Sequence, residues 1–257
     1  MNQIQMTVGL GAAAAAAATE HEARVDLAAA FRLAAHYGWD DLLATHMSVR
    51  VPGEETFLIN PFGLMFEEVT ASSLVKVDLE GNILSNTRHA VNAAGFTIHS
   101  AIHEGRPEVG CVIHLHTEAG IAVSGLEEGL LPLNQSSMLI RTEVAYHDYE
   151  GVAIDLGERE RLQRDLGDRG MMILRNHGTL TVGSTVAAAF TRMFSLERAC
   201  RLQCATLAQG RKINQPSTEA LDQTALLALN FRKEGNTALT WAALRRKLDR
   251  ITTDYQN

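Results

Sequence analysis

The chain has 257 residues, enough for one large core or two small ones. Hydrophobic residues make up 46 %, charged residues 21 % and aromatic residues 5 %, and the formal net charge is −7. That balance suits a globular protein; with no long basic run and few stacking side chains, it argues against nucleic acid or an anionic membrane as a partner.

Three cysteines, Cys111, Cys200 and Cys204, are too few for a disulfide framework, which points to a reducing cytoplasm. No apolar run reaches the roughly 18 residues that a membrane span needs. The alanine run Ala12–Ala18 is preceded by no Lys or Arg, Arg24 being the first, so a signal peptide is not expected. Residues 1–20 are expected to form a loose tail, and residues 21–257 a single domain without a Pro/Ser linker or internal repeat.

In chain order, Glu20–Tyr37 has helical composition and stops at Gly38. HMSVRV (46–51) and TFLIN (56–60) flank Pro52-Gly53 and predict two short strands. SLVKVDLEGNIL (73–84) predicts a hairpin turning at Glu80-Gly81-Asn82. Residues 92–104 predict a helix ending at Gly105, with Pro107 beyond. VGCVIHLH (109–116) is a β-branched strand, and residues 118–126 turn helical. GVAIDL (151–156) and GMMILRNHG (170–178) predict further strands. A long helix begins near Ser184, with apolar residues at Val186, Phe190, Met193, Leu196, Cys200, Cys204 and Leu207. A short helix and a polar tail close the chain. Strands in the middle and helices on either side predict a mixed α/β layer fold.

The chemistry concentrates in IHLH (113–116). Alternate residues of a strand share a face, so His114 and His116 project together, about 7 Å apart at Cα. They can converge on one metal ion, which needs a third ligand and an open position. His177, in RNHG at the end of another strand, is the third candidate. His99 and His103 (HSAIH) have the spacing of a zinc-protease helix, but Ser100 stands where that motif has its glutamate. His103 is therefore expected to pack, while His99 can line the site. A cupin-like barrel also uses paired histidines, but the flanking helices exclude it.

Several segments together resemble the class II aldolase/adducin family: THMSVR (45–50), NPFG (60–63), FTIHSAIHEGRPEVGCVIHLHT (96–117) and RNHGTLTVG (175–183). The resemblance runs from about Arg24 to Gln209. It implies a three-layer α/β/α fold around a mainly antiparallel sheet, and a homotetramer with sites between subunits. It also implies a divalent metal, zinc first, with iron, manganese or cobalt as alternatives, held by His114, His116 and His177. The family's sugar-phosphate aldolases carry Ser-Ser-Glu before the helix histidine. The serines hold phosphate and the glutamate is the acid/base. Here that stretch is Ala93-Ala94-Gly95. Thr45-His46 replaces the family's phosphate-binding Gly-Asn, and Phe62-Gly63 replaces its Thr-Gly. A non-phosphorylated substrate is expected, with His46, Phe62, Gly63 and Gly95 lining its pocket.

The missing base leaves His99, Glu118 and His147 as candidates for proton transfer. Glu118 would share the histidine face if the strand continued; otherwise it is a first-turn helix carboxylate. Tyr255 is either part of an unstructured tail or, as the resemblance implies, a group that reaches a neighbouring site. The leading expectation is a metal-dependent lyase that breaks a C–C bond, by retro-aldol or decarboxylation, in a small hydroxy- or oxo-carbonyl compound through a metal-stabilised enediolate. The alternatives are a non-haem iron oxygenase acting on an aromatic oxo-acid and an adducin-like binding module.

Overall fold

Seven short strands form one sheet in the computed structural model, which describes residues 19–153, 155–233 and 236–257. Residues 1–18 of the expected tail lie outside them. The strands are β1 (His46–Arg50), β2 (Thr56–Ile59), β3 (Val75–Asp78), β4 (Cys111–Leu115), β5 (Val144–His147), β6 (Met171–Leu174) and β7 (Gly178–Gly183). Their order is β3-β2-β1-β4-β7-β6-β5. Every neighbouring pair is antiparallel except β5 and β6. Helices cover both faces: α1 (Glu20–Tyr37), α2 (Ala93–Gly105), α3 (Glu118–Ser124), α4 (Gln135–Ile140), α5 (Glu158–Leu166), α6 (Val186–Leu207), α7 (Thr218–Lys233) and α8 (Asn236–Asp249).

Strand alternation decides which layer each side chain joins. Met47, Val49, Cys111, Ile113 and Leu115 enter the core beneath α1, α6 and α8. Val112, Met172, Leu174, Leu180 and Val182 pack beneath α2 and α5. His114 shares the parity of Val112, so it too faces the α2 layer. This is the expected α/β/α arrangement.

Local chemistry sets the helix ends. Thr19 and Glu22 form a reciprocal capping box at α1, and Gly38, at φ +67°, closes it in the left-handed region. Asn92 caps α2 by accepting from the Ala94 and Gly95 amides.

Three strand expectations are corrected. GVAIDL is not a strand in its described residues; Ile154 lies outside them. The edge of β6 is filled instead by Val144–His147, in parallel register with Met171–Leu174. The chain then turns at Gly151 (φ +109°) and leaves Val152 exposed. GMMILRNHG is not one strand, because β6 ends at Leu174 and the next three residues turn into β7. The second arm of the 73–84 hairpin shrinks to a single bridge, Val77–Ile83. Helix α7, beyond the long helix, was not expected at all.

The C-terminus is folded rather than loose. Tyr255 is fully buried among the α1 and α8 side chains. Its hydroxyl donates to Asp249 Oδ1 at 2.6 Å and accepts from Arg245 Nε at 2.9 Å. Its carbonyl accepts from the Ala71 amide at 2.9 Å. Within its own chain Tyr255 is a core residue. Tyr255→Ala is expected to cost about 3 kcal/mol or more of stability, and Tyr255→Phe about 1 kcal/mol. Urea titrations of both variants measure this, and equal costs would contradict the packing account.

Candidate metal centre

The centre grows out of the end of β4. His114 is the fourth residue of that strand, and His116 stands one residue past its end. His114 Nδ1 donates to the Thr179 carbonyl on β7 at 3.1 Å. His116 Nδ1 lies 3.0 Å from Asp41 Oδ2, in the segment between α1 and β1. Each imidazole is therefore anchored through Nδ1, which leaves Nε2 free to ligate.

His177 arrives from the β6–β7 turn. The His177 amide donates to the Leu174 carbonyl, and the Asn176 amide to the Ser124 carbonyl, both at 3.1 Å. Asn176 takes φ +54°, a left-handed conformation that asparagine tolerates better than most residues. Gly178 follows because nothing larger fits: a Cβ there would lie 2.6 Å from the Leu115 carbonyl oxygen and 3.0 Å from His116 Cδ2. Thus NHG has a structural reason residue by residue.

The rings of His114, His116 and His177 form a triangle whose centroids are 4.8 Å apart on every side. One ligand nitrogen from each lies within 4.8 Å of the others. The Nε2 atoms of His114 and His116 are 3.1 Å apart. With both Nδ1 atoms protonated, two lone pairs face each other there, and a shared cation relieves that repulsion. Tetrahedral zinc, with bonds of about 2.0–2.1 Å, separates its nitrogens by about 3.3 Å. Burial pushes the His114 imidazole well below its ordinary range, helped by the neighbouring histidines. Burial, then the field of His116, pushes His177 down to about 4. Both are neutral at pH 7, the form that binds a metal. His114 is buried while His116 and His177 are half-exposed, so the cluster has an open side.

Behind the triangle runs a second polar row. His46 Nδ1 meets His99 Nε2 at 2.8 Å. His99 Nδ1 meets Ser48 Oγ, which lies 2.8 Å from His103 Nε2. The His46 and His114 ring centroids are 5.0 Å apart. His103, expected only to pack, ends this row against Phe57.

The other expected residues fall at varied places. His147 is buried, with Nδ1 2.7 Å from Asp165 Oδ2 and Nε2 3.4 Å from Glu158 Oε1. It lines a small cleft with His177, Tyr149 and Ile98. Glu118 does not continue the strand; it opens α3 as an exposed residue, because Thr117 caps that helix by accepting from the Gly120 amide. Phe62 is 48 % exposed, and its amide donates to the Ala90 carbonyl at 2.8 Å, tying the Phe62-Gly63 loop to the approach of α2. Tyr255 is committed to the core described above. Asp41, Ser48, Thr179 and Asp165 were missed, since no spacing signal links them to the histidines they orient.

Residues 25–204 match the family model of the class II aldolase and adducin N-terminal domain. The chain is 50 % identical over 237 residues to a protein of Caulobacter vibrioides named provisionally as an aldolase class 2 protein, covering 92 % of each. It is 49 % identical over 189 residues to alpha-adducin of Rattus norvegicus, covering 72 % of this chain and 26 % of that one. The solved L-fuculose 1-phosphate aldolase of Glaciozyma antarctica superposes with a TM-score of 0.79 at 29 % identity, covering 92 % of this chain and 94 % of the other. The chain belongs to the class II aldolase/adducin family. Class II aldolases are metal-dependent, and the histidine triangle is a cluster that fits a metal.

Two outcomes are expected. Asp41→Ala should weaken metal binding about 10- to 100-fold, the usual effect of losing the group that orients a ligand; chelator competition measures it, and unchanged affinity would contradict the role. The metal-free protein should lose stability as pH falls. Burial holds His103 at about 3 and His177 at about 4, against about 6.5 unfolded. The unfolded chain therefore binds more protons, and stability declines from about pH 6.5 toward 3–4. Denaturant titrations at several pH values in that window would show the slope, and a flat profile would contradict the neutral histidines.

Proposed function

We propose that the protein is a metal-dependent lyase that breaks a C–C bond, by retro-aldol or decarboxylation, in a small, non-phosphorylated hydroxy- or oxo-carbonyl compound. The observation that carries this reading is the histidine triangle, with two of its nitrogens anchored from behind and one side open. His114, His116 and His177 would hold a divalent ion, zinc first among the candidates. When bound, such an ion supplies Lewis-acid stabilisation for negative charge developing on substrate oxygens as the bond breaks. His114 and His116 contribute Nε2 atoms from rings held in place through Nδ1. His99 and His147 are the buried candidates for handling the proton, His147 with Asp165 behind it. Glu118 is the exposed candidate.

The exchange of Ser-Ser-Glu for Ala93-Ala94-Gly95 supports the non-phosphorylated substrate, since it removes the hydroxyls that would hold a phosphate. A homotetramer with sites between subunits is part of this reading, and exposed Phe62, Tyr149 and Val152 are apolar side chains that such contacts would cover. A cytoplasmic location fits the three free cysteines. The likeness to alpha-adducin favours a binding module as the rival, and the three retained ligands oppose it.

Metal content after anaerobic purification tests the proposal. About one zinc, manganese or cobalt per chain is expected, lost in His116→Ala while the melting transition survives. Stoichiometric iron would point to the oxygenase instead. Absence of metal from the wild type would sink the enzyme reading.

A further inference from the structure

Behind the metal centre lies one face of α6. The odd positions of β4, Cys111, Ile113 and Leu115, enter the layer under that helix, and Thr117 continues their parity past the strand end. Thr117 Oγ1 donates to Glu197 Oε2 on α6 at 2.5 Å. One turn earlier on α6, Met193 Sδ accepts from Thr179 Oγ1 at 3.5 Å. The Thr179 carbonyl is the group that receives His114 Nδ1. Two side chains four residues apart on α6 therefore touch the threonine that follows His116 and the threonine that holds His114. Gly120 closes the arrangement: a Cβ there would lie 2.6 Å from Thr117 Oγ1 and 3.0 Å from Thr179 Cγ2.

Packing does not explain a carboxyl group at residue 197. Glu197 is 5 % exposed, and its α6 neighbours Leu196, Ala199 and Cys200 are buried in an apolar cluster. Burying such a group is costly unless a donor meets it, and the Thr117 hydroxyl is that donor. Thr117 already caps α3 by accepting from the Gly120 amide at 3.2 Å, a role that needs no second partner. The extra bond to Glu197 crosses 80 positions and ties Thr117 to α6. His116, the residue before it, stands beyond the last β4–β7 pair, Leu115 with Thr179. The ladder that fixes His114 has ended there, and α3 does not begin until Glu118. Of the two junction residues, Thr117 is the one whose side chain is anchored in the buried interior.

We propose that Glu197 is a positioning residue for the metal centre: from α6 it grips Thr117 and thereby sets the direction in which His116 presents Nε2. This rests on the metal-dependent reading above. Asp41 holds the His116 ring from the exposed side. Glu197 holds the backbone that carries the ring from the buried side. Gly120 belongs to the same device, because a side chain there would push Thr117 away from Glu197.

Two measurements test it. The first needs no metal and follows amide hydrogen exchange. Glu197→Leu should speed exchange at Gly120 and Ile121, whose amides donate to the Thr117 hydroxyl and carbonyl, while the β4 amides keep their protection. Equal acceleration everywhere would mean only a loss of global stability and overturns the local role. The second measures cobalt affinity by chelator competition. Glu197→Leu should weaken cobalt about tenfold, the lower end of what groups behind a ligand contribute. Thr117→Val should do the same, and the double variant should lose no more than either alone. Glu197→Gln, which keeps an accepting oxygen, should retain most of the affinity. Leu196→Ala, a truncation in the adjoining core, should lower the melting temperature and leave cobalt affinity unchanged. Affinity that falls equally in Leu196→Ala, or that does not fall in Glu197→Leu, overturns the positioning role. If Glu197→Leu does not fold, Thr117→Val and Gly120→Ala carry the same comparison. A wild type that holds no cobalt overturns the metal reading and the positioning role with it, and the exchange data still decide whether Glu197 fixes the junction.

Discussion

The placement of β4 between β1 and β7 is the constraint on which the site depends. In that register His46 stands opposite His114 on one side, and Leu180 stands opposite it on the other. A slip of one residue would turn His114 into the α1/α6 core and expel Ile113 and Leu115 from it. The apolar alternation Cys111, Ile113, Leu115 therefore does two things: it buries one face under α1 and α6, and it thereby delivers His114 to the opposite face. The metal cluster follows from the hydrophobic pattern of its own strand.

Delivering histidines to a buried face has a cost that the surrounding residues offset. Desolvation is the leading cause holding His46, His99, His103, His114 and His177 below their ordinary range. Neutral imidazole still needs partners for its nitrogens. Thr179 supplies one for His114, Asp41 one for His116, and Ser48 bridges His99 and His103. Asp41 reaches its place through a turn in which Leu42 takes φ +47°, an unfavourable conformation for a leucine. That the surrounding structure sustains it is consistent with a role for Asp41 rather than with packing, because Leu42 itself is 68 % exposed.

The parts of this architecture carried by local periodicity were legible in the chain. Helix α1, the strand pairs around Pro52-Gly53, the strand that bears His114 and the helix after Ser184 all have a period of two or of 3.6. His177 was found because a strand-like run ends beside it. What failed was non-local. GVAIDL looks like a strand, but a strand needs an edge to pair with, and VAYH had taken the edge of β6. The tail looks polar because DYQN is polar, yet Tyr255 is held in the core by α1 and α8 and by Ala71. Asp41 is an ordinary loop aspartate until the fold brings it to His116, 75 positions away.

Helix α2 shows how one spacing can support two functions. His99 and His103 lie four apart, the spacing by which a zinc helix presents two ligands to one ion. In this fold both rings turn toward Ser48 of β1 instead, and that hydroxyl takes the place an ion would have. What diverts them is the β1 strand lying beneath the helix, with Gly95 one turn earlier allowing His46 to fit between the two elements. The metal-binding function passes to β4 and the β6–β7 turn, where three nitrogens converge from elements that differ in direction. A spacing rule reports which side chains share a face; whether that face meets a hydroxyl or a cation is decided by the strand packed against it.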